Sequence, residues 1–383
     1  MIEFMDALTT PSNWQRVRLG DICEFGNGGA YETLIVENGN FKLISLNSID
    51  IDGNLKNTMK RVNFYDNSLK QDDIVMVLSD VAHGDFLGLC AVIPSNDYVL
   101  NQRMGRLRKR NDCINILFLR LYINANQKYF KMQGQGSSQL NLSKKAIEDF
   151  EILLPPLNEQ IAIANILSDV DHYLYSLDAL ILKKESVKKA LSFELLSQRK
   201  RLKGFNQNWQ RVRLGDICEI TTGSLDANEM VHYGKYRFYT CAKEYYFIDK
   251  YAFDTEAILI SGNGAYVGYV HYYKGKFNAY QRTYVLDNFS EHIIFIKYFL
   301  TMFLQSHIQT NRNEGNTPYI VMATLKDFEI PLPPLNEQIA IANILSGLDH
   351  EITSLKNKKR QFENIKKALN HDLMSAKIRV LKK

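Results

Sequence analysis

No run of about 18 uninterrupted apolar residues occurs anywhere in this 383-residue sequence, which excludes a helical membrane span. Cysteine is scarce. Cys23, Cys90, Cys113, Cys218 and Cys241 stand far apart, odd in number and without a C-x-x-C pair, so a disulfide framework and a zinc ribbon are both poor readings. They set the expectation of reduced thiols in a cytoplasm. The opening MIEFMDALTTPSNW has acidic Glu3 and Asp6 and no basic start, unlike a secretory signal. A strong excess of charge is missing too: 47 Lys and Arg less 42 Asp and Glu leave +5, which permits a polyanionic partner without requiring one. What is present is 45% apolar and 23% charged residues, the balance of a globular chain. At roughly 100–200 residues per domain the length accommodates two or three domains.

Catalytic signatures are also lacking. No Asp or Glu is followed two positions later by Lys, so the D/E-x-K element of many nucleases is absent, as are H-E-x-x-H and G-x-x-x-x-G-K-[ST]. Gly262, Gly264 and Gly268 have the wrong spacing for a dinucleotide loop. Asn316-Thr317-Pro318-Tyr319 resembles the Asn-Pro-Pro-Tyr of adenine methyltransferases, but its second residue is wrong and no cofactor-binding glycine motif precedes it. The histidines are scattered, and His172 and His350 read as helix-face residues. No catalytic residue, metal site or resident cofactor is expected.

The decisive feature is that the chain is written twice. Residues 13–24 and 208–219 are the same twelve letters, NWQRVRLGDICE. Residues 149–168 (DFEILLPPLNEQIAIANILS) recur at 327–346 with one change, Leu153 to Pro331. The match continues weakly through Asp171-His172 and Asp349-His350, and through KKAL at 188–191 and 366–369. Between the repeats lie two unlike inserts, 25–148 with 124 residues and 220–326 with 107. A frame kept twice around inserts that differ is one scaffold carrying two readers.

The frame is helical after each double proline, Pro155-Pro156 and Pro333-Pro334, since proline is tolerated in a first turn but not inside. Ile163, Ile166, Val170, Tyr173, Leu177, Leu180, Val187 and Leu191 fall at coiled-coil steps, with a gap at Lys184. Ile341, Ile344, Leu348, Leu355, Phe362, Ile365 and Leu369 repeat the stripe, with polar Glu351 and Lys358 as flaws. Two such stripes in one chain predict an antiparallel pair. DIVMVLSD, LGLCAVI, EAILISG, YVGYVHYY and TYVLD read as strands, and Trp14 and Trp209 as core anchors. The expected fold class is therefore α+β: two mixed α/β domains joined by two long antiparallel helices, an intramolecular coiled coil, as a pseudo-two-fold internal repeat.

Side chains suited to DNA collect in the inserts. Asn, Gln and Arg form paired hydrogen bonds to base edges, while Ser, Thr and backbone amides suit phosphates. The candidates in the first insert are Ser79, His83, Gln102, Arg103, Arg106, Gln135, Ser137, Ser138, Gln139 and Asn141. In the second they are Ser261, Asn263, Gln281, Arg282, Asn311, Arg312, Asn313, Asn316 and Thr317. Gln102-Arg103 and Gln281-Arg282 occupy comparable places after Ser79 with Gly88 and Ser261 with Gly268. Residues 183–203 carry eight Lys or Arg against two Glu, and residues 356–383 ten against two acidic residues, which fits a solvated face, nearby phosphates or an acidic partner.

Two variable domains, each opened by W-x-x-V-x-L-G-D-I and followed by P-P-L-N-E-Q-I-A-I-A-N-I-L-S (155–168, 333–346), resemble the DNA specificity subunit of type I restriction-modification systems over 13–380. The resemblance implies target recognition domains at 1–154 and 204–332, with spacer helices at 155–203 and 333–383. It implies a non-catalytic subunit that binds double-stranded DNA and two methyltransferase (M) subunits, with two restriction (R) subunits in a full complex. Each domain would read one half of a bipartite asymmetric site. S-adenosylmethionine, ATP and Mg would belong to those partners. Two other readings stay open at this point: an interaction scaffold without nucleic acid, and a stand-alone methyltransferase or nuclease with fused recognition domains.

Overall fold

The computed structural model describes residues 11, 13–81, 84–311 and 318–380, except for the side chains of 310 and 311. The chain divides into two compact units, residues 1–177 with 358–383, and residues 178–357. Each unit thus holds one insert and half of each long helix, a division that cuts across the boundaries read from the sequence.

The repeated letters build the same small frame in each unit. In unit 1, strand Gln15–Arg18 pairs antiparallel with Glu151–Leu154, and Val17 faces buried Ile152. In unit 2, Gln210–Arg213 pairs with Glu329–Leu332 in the same register, Val212 opposite Ile330. Solvent-side pairs flank them, Arg16 with Glu151 at 2.8 Å and Arg211 with Glu329 at 3.1 Å. The Leu-Gly-Asp-Ile that follows makes one helical turn, and its first leucine is fully buried in both units (Leu19, Leu214).

The inserts share little sequence yet fold on one strand order. Unit 2 has a six-stranded sheet: Glu219–Thr222, Thr283–Asp287, Phe253–Ser261, Val270–Ala279, Tyr236–Tyr239, Tyr246–Ile248. Unit 1 has the first four positions as Cys23–Asn27, Met104–Lys109, Ile74–Val77 and Cys90–Val92. The rest continue as Tyr98–Leu100, Phe41–Ile44 and Lys60–Val62, a separate three-stranded sheet. One long strand of unit 2, Val270–Ala279, is therefore two short ones in unit 1, and Pro94 lies in the break. Proline has no N–H to carry a ladder onward. Even the parallel pair recurs, Phe41–Ile44 beside Tyr98–Leu100 and Tyr236–Tyr239 beside Val270–Ala279.

One face of each sheet packs on a helix, Ile116–Ala125 in unit 1 and Ile293–Asn311 in unit 2, through cores containing Phe118 and Leu119 or Phe295 and Ile296. Trp14 is buried in the first core, and Trp209 packs against the second. The opposite faces differ. Unit 1 covers its own with Ile49, Leu69, Leu46, Leu55 and Met59 over Val75 and Val77. In unit 2 aromatic Tyr239, Phe277, Phe253 and Tyr273 pack there with buried Ala257, Leu259, Ala279 and Val285.

The long helices span Leu157–Leu196 and Leu335–Met374, 40 residues each, starting directly after the double prolines. Within unit 1, Tyr173 meets Phe362 at 4.6 Å between ring centroids, and Asp171 meets Lys366 at 2.5 Å. Within unit 2, Lys184 meets Glu351 at 2.7 Å and Lys188 meets Asp349. In both, rising numbers on one helix meet falling numbers on the other, so the segments run antiparallel inside each unit. The expected seam needs correction: Leu180, Val187, Ile344 and Ile365 are exposed. Tyr173, Leu177 and Ile181 make two successive steps of four, which shift the stripe by one residue. It then runs through Ile181, Lys184, Lys188 and Leu195, and on the second helix through Ile341, Leu345, Ile352 and Leu373.

Candidate nucleic-acid interface

The frame letters explain themselves through hydrogen bonds that reach far along the chain. The glutamate of L-N-E-Q is buried in both copies (Glu159, Glu337) and accepts the indole N–H of the repeated tryptophan, Trp14 at 3.2 Å and Trp209 at 3.1 Å. An arginine beyond a long helix closes each pair: Arg379 on Glu159 at 2.6 and 2.9 Å, Arg201 on Glu337 at 3.2 and 2.6 Å. The glutamine beside it satisfies the carbonyl exposed by the proline break, Gln160 Nε2 to Pro155 and Gln338 Nε2 to Pro333, each at 2.8 Å. Buried charge is tolerable only when paired in this way. Several cations of the basic stretches are engaged here or across the helices (Arg201, Arg379, Lys188, Lys356, Lys366), so only part of that charge is left for phosphates.

On that frame each sheet presents an edge of loops, and backbone hydrogen bonds align the two edges. In unit 1, Leu78 N donates to Arg103 O (3.0 Å), Leu142 N to Leu78 O (2.9 Å) and Gln102 N to Gly29 O (2.6 Å). In unit 2, Gly262 N donates to Arg282 O (2.8 Å), Ile320 N to Gly262 O (2.9 Å) and Gln281 N to Leu225 O (2.9 Å). Gln102-Arg103 and Gln281-Arg282 therefore stand at equivalent ladder positions. Ser261 does not correspond to Ser79, because the ladder matches it to Val77: Gly88 N bonds Val77 O and Gly268 N bonds Ser261 O. The counterpart of Ser79 is Asn263. The turn that follows is four residues longer in unit 1, where Gly84 (φ 65°) stands where unit 2 has Gly264 (φ 79°).

Arg103, Gln135, Ser137, Ser138, Gln281 and Arg282 are exposed along these edges, and Gln102 and Asn263 are half-buried. Arg103 takes φ 66°, which points its backbone out of the strand path. Gln139 and Asn141 lie on a short strand paired with Ser79–Val81, where the Ser79 hydroxyl donates to Asn141 Oδ1 at 2.5 Å. Ser79 and Ser261 are buried, so neither hydroxyl faces solvent. Arg106 is held inside unit 1 by Glu24 at 2.7 Å and the Ser68 carbonyl at 3.2 Å. His83, Arg312, Asn313, Asn316 and Thr317 lie outside the described residues, and Asn311 ends its helix with a side chain that is not described.

Sequence reasoning missed the tyrosines of unit 2. Tyr266, Tyr269 and Tyr319 are exposed, and Lys243 sits over the Tyr266 ring at 5.3 Å. The signal was available in GNGAYVGY, where exposed aromatics flank two glycines of positive φ. Behind them, His271 contacts the Ala242 carbonyl at 2.9 Å, and burial pushes its pKa below the ordinary value. Asp349 in unit 2 is pushed up by burial, but hydrogen bonds from Lys188 and Tyr298 outweigh that and hold its carboxyl below the usual range. Among the described residues no cluster of three metal-ligating side chains occurs, and no helix is long and apolar enough to cross a membrane.

The type I restriction modification DNA specificity domain matches residues 11–184 and again 206–364. The EcoDI specificity subunit of Escherichia coli is 37% identical over 171 residues, an alignment covering 44% of this chain and 37% of that protein. The chain thus spans well under half of that relative. The MjaVIII specificity subunit of Methanocaldococcus jannaschii is 25% identical, with 98% of this chain and 95% of that protein covered. Among solved structures, the type I restriction-modification S subunit from M. genitalium superposes with a TM-score of 0.65 at 17% identity, covering 96% of this chain and 97% of the other. The HsdS subunit of Thermoanaerobacter tengcongensis gives a TM-score of 0.52 at 17% identity, covering 96% and 98%. At that identity the likeness concerns the fold.

Proposed function

The chain belongs to the type I restriction modification DNA specificity family, and from that premise we propose that it is the non-catalytic subunit that reads DNA sequence for such a complex. One observation carries the reading. The four- and three-stranded sheets of unit 1 and the six-stranded sheet of unit 2 follow one strand order on a frame repeated nearly letter for letter, and their equivalent edges differ around a shared Gln-Arg pair. A frame kept constant serves something the same at both places, and an edge that varies serves something different. DNA with two unlike half-sites, flanked by two copies of one methyltransferase, meets both conditions. Target recognition domains at 1–154 and 204–332 would each read a half-site, and the helices of 155–203 and 333–383 would pair along their length to set the spacer. A related structure concerns complex assembly of the type I system. By that analogy two M subunits, and R subunits in a cutting complex, would bring S-adenosylmethionine, ATP and Mg, all in the cytoplasm.

Genome-wide adenine methylation, with and without this chain, tests the proposal. Deletion should abolish a bipartite, asymmetric methylated motif. Persistence of every methylated motif would refute it. Removing one heptad from each long helix should shorten the spacer and leave both half-sites intact, whereas unchanged spacing would end the ruler idea alone.

A further inference from the structure

The two edges differ at one built feature. In unit 2, Thr222, Gly262, Gln281, Arg282, Tyr284 and Ile320 line a cavity of about 210 Å³. Its walls are fixed: Gly262 N donates to Arg282 O, Ile320 N to Gly262 O, and the Tyr284 hydroxyl to Ile320 O at 3.0 Å. Gln281 and Arg282 are exposed at its mouth. The same place in unit 1 is filled. Leu78 stands at the ladder position of Gly262, packed in the core, and Gly105 at that of Tyr284 leaves room for it, since a Cβ on Gly105 would lie 2.9 Å from Leu78.

The geometry points to this cavity as a base-reading pocket of unit 2 that takes the major-groove edge of a guanine, with Arg282 and Gln281 as its specificity-determining residues. This rests on the DNA-reading function proposed above. The chemistry selects the base. None of the six lining residues is acidic, and the fixed charge is a guanidinium, so the pocket favours an edge made only of acceptors. Among the bases guanine presents two acceptors there, O6 and N7, and arginine meets both at once. A phosphate would also accept from arginine. However, phosphate contacts carry no sequence information, and a pocket built into one reader and filled in the other is placed to make the readers differ.

The test is the methylated motif of cells carrying the complete system with Arg282→Ala, Gln281→Ala or Thr222→Leu, the last of which fills the cavity. Arg282→Ala should relax one G·C position in one half-site, with about 5- to 150-fold less discrimination there, and leave the other half-site untouched. Thr222→Leu should relax the same position. Because Gln281 and Arg282 are exposed, their variants should keep the melting temperature of the purified complex, which separates lost reading from lost folding. An unchanged motif overturns the pocket. So does methylation that falls evenly over all sites, the mark of a phosphate contact, or a responding half-site with no G·C pair. A motif that survives deletion of the whole chain would instead overturn the reading on which the pocket rests.

Discussion

Unit 1 covers the outer face of its sheet with aliphatic side chains, and unit 2 buries its own among aromatic ones. Between ladder-matched residues unit 1 spends 15 residues at 45–59 and 11 at 63–73, where unit 2 spends six at 240–245 and nine at 249–257. The difference, 26 − 15 = 11, is most of the inserts' difference of 124 − 107 = 17, and the longer turn after Ser79 adds four more. Most of the length variation thus sits in those connections, with four residues in the turn after Ser79, while strand order and the ladder positions of the loop edge are kept. In unit 1 the added chain supplies an aliphatic cover, and in unit 2 tyrosines and phenylalanines replace it. An edge held by main-chain hydrogen bonds can change its side chains without changing its position. That property suits a pair of readers on one frame.

The frame should be equally strong in both units, and breaking it should have the largest effect. Glu159→Ala and Glu337→Ala each strand a partly buried arginine and a tryptophan N–H, and each should cost about 3–5 kcal/mol. Hydrogen exchange resolved by peptide checks this, because the loss should appear in unit 1 for the first and in unit 2 for the second. Unequal losses would mean that the repeated letters do unequal structural work. Next comes the cover. Leu69→Ala removes a fully buried side chain from the aliphatic cover of unit 1 and should cost about 2–5 kcal/mol there, with unit 2 unaffected. If urea unfolding of unit 1 were unmoved, the extra residues would be decoration and not core.

Acidity should separate the units in a smaller way. Burial holds His271 below its ordinary value of 6.5, so folded unit 2 keeps a neutral ring that the unfolded chain protonates. The stability this gives is complete above about pH 6.5, and it is lost as pH falls through the depressed folded value. Ala91, buried, holds the same ladder position in unit 1. His271→Ala should therefore flatten the acid limb of unit 2 unfolding and leave that of unit 1 alone. A limb of unchanged slope would assign the acid sensitivity elsewhere.

Much of this was legible in the letters. The repeats, the helix starts after Pro156 and Pro334, and the strands around Val75, Ile258 and Val285 follow from local chemistry. The shared strand order was not, because hydrogen bonds between backbones leave no mark on which side chains flank them. Ser261 aligns with Ser79 in the letters because a four-residue difference in the next turn hides in a sequence count. Leu180 and Val187 looked like seam residues because a strict three-and-four reading cannot see where a helix shifts its stripe. Glu159 and Glu337 hid as motif letters, since their partners lie up to 220 residues away.

The smallest effect concerns the polar pair in the seam. Lys184 and Glu351 meet at 2.7 Å with side chains a third and a half exposed, so solvent screens them. A double-mutant cycle should give a coupling of about 0.2–1 kcal/mol, shrinking as salt rises. Reversing both charges, Lys184→Glu with Glu351→Lys, should restore it, while either change alone sets like charges together. In unit 1 the pair of rings Tyr173 and Phe362 crosses the helices instead, and a cycle there should be insensitive to salt. Equal salt dependence in the two cycles would erase the distinction between a charged and an aromatic crossing. A coupling well above 1 kcal/mol in unit 2 would show that the pair is more deeply dried than its exposure indicates.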